Sequence, residues 1–144
     1  MKVKNLILVV IALSLVLFGI SCSGRDSSGP VTDYDSLLDN LSAAGATVES
    51  AGEINQDFFS VTGQAIKVNG QDVQVFEYED NQTAEAEAQL VSPDGSSVGT
   101  SLPFWVAPPH FYKAGRIIVL YVGENMAVMD LLETTLGSQF AGRG

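Results

Sequence analysis

The residues that could do chemistry in this chain are few. Its 144 residues include one histidine, His110, one cysteine, Cys22, and one tryptophan, Trp105. One imidazole and one thiol are too few to build the ligand set of a tetrahedral zinc site. A hydrolase needs a serine activated by an oriented histidine and an acid. Serines are plentiful, but no G-x-S-x-G stretch occurs, and Ser92, Ser96, Ser97 and Ser101 fall in a polar turn. Glu77, Glu79, Asp80 and Asn81 gather oxygen donors without the D-x-[DN]-x-[DN]-G spacing of a calcium loop. A solvated strand end feeding a helix N-terminus accounts for the same acids, because carboxylates are favourable there. No glycine-rich phosphate loop is present. The expectation is a protein that is not an enzyme, with no catalytic residues, no cofactor and no metal.

The densest run of unusual residues is WVAPPHFYKAGRIIVLYVG, residues 105–123. Trp105, His110, Phe111, Tyr112, Lys113 and Arg116 make it a candidate binding surface of aromatic and cationic character, with Pro108 and Pro109 stiffening the approach. The alternative is a hairpin connection whose aromatics close the end of a sheet, with the two cations offsetting nearby acids. Both readings stay open at this point.

The elements that must position these residues follow from periodicity. TDYDSLLDNLSAAG has a Thr32 or Asp33 cap, Leu37, Leu38, Leu41 and Ala44 at helical spacing, and Gly45 as a stop. Residues 46–54 read as a weak strand. In AIKVNGQDVQVFEY, Asn69-Gly70 separates two alternating runs and predicts a two-residue hairpin turn. Its register sets Val68 against Gln71, Lys67 against Asp72 and Ile66 against Val73. One face then carries Ile66, Val68, Val73 and Val75; the other, mixed face carries Lys67, Asp72, Gln74, Phe76 and Tyr78. A second helix starts at Asp80 or Asn81 with Ala84, Ala88, Leu90 and Val91 as its apolar stripe, and Pro93-Asp94-Gly95 closes it. LPFWV, residues 102–106, reads as a short strand and RIIVLYV, residues 116–122, as a buried one. Asn125 caps a last helix that turns Val128, Leu131, Leu132 and Leu136 inward and ends at Gly137. The order α-β-β-β-α-β-β-α predicts an α+β fold: an antiparallel sheet of about five strands with helices packed mainly on one face. It forms a single domain over residues 33–140.

Charge and the N-terminus bear on location. All 17 Asp and Glu follow Cys22, together with five Lys and Arg, a net charge of −12 for that part. Such a surface repels phosphate backbones, so nucleic acid is not an expected partner. Lys2 and Lys4 precede the apolar run LILVVIALSLVLFGI, residues 6–20. At 15 residues the run falls short of the roughly 20 that span a bilayer, and its flanks are those of a processed signal peptide over residues 1–21. Ser23 to Thr32, SGRDSSGPVT, is small and polar, so residues 22–32 read as a flexible linker headed by Cys22.

Phe18-Gly19-Ile20-Ser21-Cys22 resembles the lipobox of bacterial lipoproteins, with Gly19 where leucine is usual. The resemblance implies that Cys22 is diacylated on sulfur, becomes the first residue after cleavage, and holds the domain on the extracytoplasmic side of the cell membrane or outer membrane. Residues 105–123 and the helix after them resemble a domain of uncharacterised bacterial lipoproteins and secreted proteins, which brings no assigned activity. The resulting expectation is a membrane-tethered domain that binds a protein or envelope component. The alternative is a carrier of a small ligand in an apolar pocket.

Overall fold

The hairpin at Asn69-Gly70 sets the register of half the sheet. Both turn residues take positive φ, 50° and 81°, which the tight turn requires and which Asn and Gly adopt at least cost. It joins β2 (Gly63–Val68) to β3 (Gln71–Glu77) with Val68 opposite Gln71, Lys67 opposite Asp72 and Ile66 opposite Val73, as the alternation predicted. The computed structural model describes residues 29–142; residues 1–21, expected to be a signal peptide, and Cys22 lie outside the described residues.

Six strands form one antiparallel sheet in the order β1-β2-β3-β5-β4-β6. β1 (Val48–Ile54), β4 (Pro109–Ala114), β5 (Ile117–Val122) and β6 (Ala141–Gly142) complete it. The three helices are α1 (Tyr34–Ala43), α2 (Asn81–Ala88) and α3 (Met126–Leu136). The α+β antiparallel architecture agrees with the sequence, with six strands in place of about five. α1 starts from a capping box. Asp33 Oδ1 accepts from the Ser36 amide at 3.0 Å, and Ser36 Oγ accepts from the Asp33 amide at 3.0 Å. Asp80 and Asn125 cap α2 and α3 one way only, their side-chain oxygens accepting from the Thr83 amide and from the Ala127 and Val128 amides.

The sheet is covered on both faces. On one, Ile66, Val68, Val73 and Val75 meet Leu37 and Leu41 of α1 and Val128 and Leu132 of α3. On the other, Phe76, Tyr78, Ile118 and Leu120 meet Phe59 and the alanines of α2, Ala84 and Ala88. Two helices thus share one face, in keeping with the expected asymmetry, and the third lies opposite with the loops around Phe59 and Val98. Phe76 and Tyr78, placed by sequence on a mixed face, are buried, and solvent reaches that face at the Lys67–Asp72 end, where the two side chains pair at 2.7 Å. Leu90, expected on the inner stripe of α2, lies past the helix end and is 47% exposed.

Three boundaries move. Residues 102–106 are not a strand; β4 begins at Pro109 instead. Pro103, Pro108 and Pro109 lack ladder donors, and a strand tolerates proline at its first residue far better than within. The last two linker residues are packed: Val31 is buried, and the Arg116 amide donates to Thr32 O at 2.9 Å. The domain therefore starts before residue 33. It also continues past residue 140, because β6 pairs with β4 at Phe111–Ala141 and His110–Gly142.

One buried polar atom is unmatched. Tyr78 Oη has no hydrogen-bond partner among the described residues, and burial pushes its phenol well above the ordinary range. Tyr78→Phe removes that desolvated hydroxyl while keeping the ring. We expect urea unfolding to show stability unchanged or raised by up to about 1 kcal/mol; a loss of that size would mean the hydroxyl is paired.

Candidate functional site

The turn that follows α2 builds the site. Asp94 Oδ1 accepts from the Ser96 amide at 3.0 Å, from Ser96 Oγ at 2.7 Å and from Ser92 Oγ at 2.8 Å. These donors, the Ser96 pair foremost, hold the Asp94 carboxyl down at about 2. The Ser97 amide returns to Ser92 Oγ at 3.0 Å and the Gly95 amide to Ser92 O at 2.8 Å. Gly95 has φ +68°, and a Cβ there would press on Phe111, Pro109 and Gly142, so the turn sits flush against β4. Its carbonyl accepts the Trp105 indole N–H at 2.7 Å.

Trp105 is thereby clamped half-buried, edge-on to Phe58 at 5.8 Å and to Phe111 at 6.0 Å between ring centroids. Clamping alternate residues of an extended run sends their neighbours outward. Leu102, Phe104 and Val106 are 81%, 95% and 90% exposed. They flank an open groove of about 570 Å³ over the sheet face, lined further by Gln56, Asp57, Phe58, Gln74 and Val122. On its floor Gln56 Nε2 donates to Gln74 Oε1 at 2.9 Å.

The six residues proposed from sequence as one surface do not form one. Phe111 is fully buried on the α2 face, while Tyr112 lies in the core beneath α1 and α3. Burial, helped by Glu133 and Asp130, pushes the Tyr112 phenol up to about 12. His110 is 2% exposed; its Nδ1 meets Gln139 Oε1 at 2.8 Å and its Nε2 meets Gly123 O at 3.1 Å, and its ring stacks on Tyr121. Both ring nitrogens are engaged in tying β4 to the segments flanking α3. Lys113 pairs with Glu85 and lies over the Phe140 ring, and Arg116 pairs with Glu77. Trp105 alone reaches the groove. For the other five the structural alternative holds: they close the sheet and offset acids. Cys22 lies outside the described residues.

Sequence reasoning missed Leu102, Phe104 and Val106 as exposed groups because their alternation matches a half-buried strand. The distinguishing signal was local: Pro103 inside the run and Pro108-Pro109 after it deny hairpin pairing. Among the described residues no group of three or more His, Cys, Asp or Glu is arranged to hold a metal, and no helix is long and apolar enough to cross a membrane. The fold and groove define an α+β domain with a clamped apolar segment. No protein family, curated protein or solved structure matches the chain.

Because the Asp94 carboxyl is held below its ordinary 3.8, the stabilisation it gives is complete above that value and is lost as pH falls toward 2. Asp94→Ala should lower the urea midpoint at pH 7, and the gap to wild type should close as pH falls from about 4 to about 2. A gap independent of pH would place the stabilisation elsewhere.

Proposed function

We propose that this chain is a lipid-anchored extracytoplasmic binding module that docks a protein or envelope component on residues 102–106 and the adjoining groove. The observation that carries the docking reading is the exposure of Leu102, Phe104 and Val106 around a fixed Trp105. Leaving a large apolar side chain in water forgoes about 1.5–3 kcal/mol relative to burying it. Three such residues in a continuous segment mark an interaction site rather than chance exposure. No Asp, Glu, Lys or Arg occurs from Gly95 to Tyr112, so no such charge in the segment opposes desolvation. The groove's volume also suits a small ligand, but its open, apolar rim favours the surface of a larger partner. The anchor rests on the lipobox-like residues ending at Cys22. Val31, buried, and Thr32, whose carbonyl accepts from the Arg116 amide, belong to the packed domain and not to the expected linker.

Two substitutions separate the anchor from the dock. Cys22→Ala should move the protein from the membrane to the soluble fraction; membrane partitioning at full mass would overturn the anchor. Phe104→Ser combined with Leu102→Ser removes exposed groups only. The urea midpoint should therefore stay within about 0.5 kcal/mol of wild type, while partners cross-linked to the tethered protein in its native envelope are lost. Unchanged cross-linking with unchanged stability would overturn the docking site.

A further inference from the structure

Two observations at residues 102–106 point to a particular kind of occupant. The first concerns the backbone. No main-chain N–H or C=O of residues 102–106 makes a hydrogen bond within the described residues; the segment is held by the Trp105 indole, by packing and by its ends. Its exposure alternates out, in, out, in, out, the two-residue period of an extended chain. It is therefore strand-like in side-chain placement and unpaired in its main chain, whereas the sheet strands beside it are already paired.

The second observation is electrostatic. Residues 29–142 contain sixteen Asp and Glu against three cations, and each cation is bound to an acid: Lys67 to Asp72, Lys113 to Glu85, Arg116 to Glu77. Thirteen acids are left without a cationic partner among the described residues. The one charged residue lining the groove is Asp57. The field around the segment is thus negative, while the segment itself carries no charge.

We propose that residues 102–106 are an edge for strand addition, and that the occupant is an extended segment of a partner protein in which basic and apolar residues alternate. The partner's main chain pairs with the free groups of Leu102, Phe104 and Val106, as in other β-augmentation sites; in an extended chain Pro103, which has no N–H, turns its main chain to the opposite edge. Its apolar side chains fill the groove against Trp105, Phe58 and Val122, and its basic side chains, on the opposite face of the strand, meet the acidic field of the domain. Three features weigh against the other occupants. Insertion of this segment into lipid would carry unpaired N–H and C=O groups into hydrocarbon, which bilayers do not tolerate. The acidic field would also repel anionic headgroups. A second copy would bring the same excess of acids to the interface.

This inference rests on the docking reading above and is tested separately from it. Trp105 is the only tryptophan in the chain and lines the groove, so its emission reports occupancy directly. The full lipidated chain in non-ionic detergent is titrated with a short, end-capped peptide alternating lysine and valine. A saturable shift of Trp105 emission is expected, at least about tenfold weaker when alternate peptide nitrogens are methylated, which removes main-chain donors without altering charge. A similar weakening is expected for Phe104→Ser, and no response to a glutamate–valine peptide. Equal binding of the methylated peptide overturns strand addition. Quenching of Trp105 by vesicles of chain-brominated phosphatidylcholine, in the reconstituted chain, overturns it in favour of lipid. Dimerisation by sedimentation that Phe104→Ser abolishes overturns it in favour of a second copy. If the basic peptide fails to bind while Phe104-dependent cross-linking in the envelope persists, strand addition falls and the docking site stands; if both fail, both fall.

Discussion

Covering two faces of one sheet with three helices is the constraint on which the rest of this structure depends. β3 and β5 lie at the centre, and their side chains alternate between two cores: Val73, Val75, Val119 and Tyr121 on one side, Phe76, Ile118 and Leu120 on the other. α1 and α3 together cover the first. The second has only α2, eight residues whose buried contribution is Ala84 and Ala88. Alanine permits close approach but hides little area, so aromatic loops must finish the cover. Phe59 packs on Phe76 at 4.7 Å and Trp105 on Phe111 at 6.0 Å between ring centroids.

That incomplete cover explains the groove. The loops carrying Phe58 and Trp105 meet above the sheet through a T-shaped contact of these rings, and Gln74 and Val122 line the open groove beside them. The Asp94 turn holds one wall through a single indole hydrogen bond. An exposed apolar segment would ordinarily collapse onto the nearest apolar surface. Here Trp105 already occupies that position, and two prolines bracket the route to β4, so Leu102, Phe104 and Val106 stay in water.

The cations tell a related story. Lys113 and Arg116, together with aromatic neighbours, look in sequence like part of a recognition surface. In the fold they sit on the β4–β5 hairpin and reach Glu85 in the middle of α2 and Glu77 at the end of β3. Ion pairs this exposed contribute little stability. Their consequence is that, among the described residues, no cation is left without an acid partner to balance the acidic surface.

Much of this fold is legible in the chain. The Asn69-Gly70 turn, the hairpin register, the helix starts (each cap to within a residue: Asp33 over Thr32, Asp80 over Asn81, and Asn125), and the buried run of β5 are set by nearest-neighbour chemistry: backbone freedom at φ > 0, carboxamide and carboxylate acceptors for free N–H groups, and β-branched side chains. The site was not legible in the same way. An apolar run with a two-residue period specifies an extended chain, but whether that chain faces a core or water depends on what else reaches the sheet. His110, Phe111 and Tyr112 became core because β4 paired with β5 and β6, while Leu102, Phe104 and Val106 became surface because Trp105 was captured by Gly95 some ten residues earlier. The sequence by itself determined the local elements and their register, because these depend on residues close along the chain. Only the tertiary structure decided which aromatics are buried, because burial is a competition among distant segments for the same area of sheet.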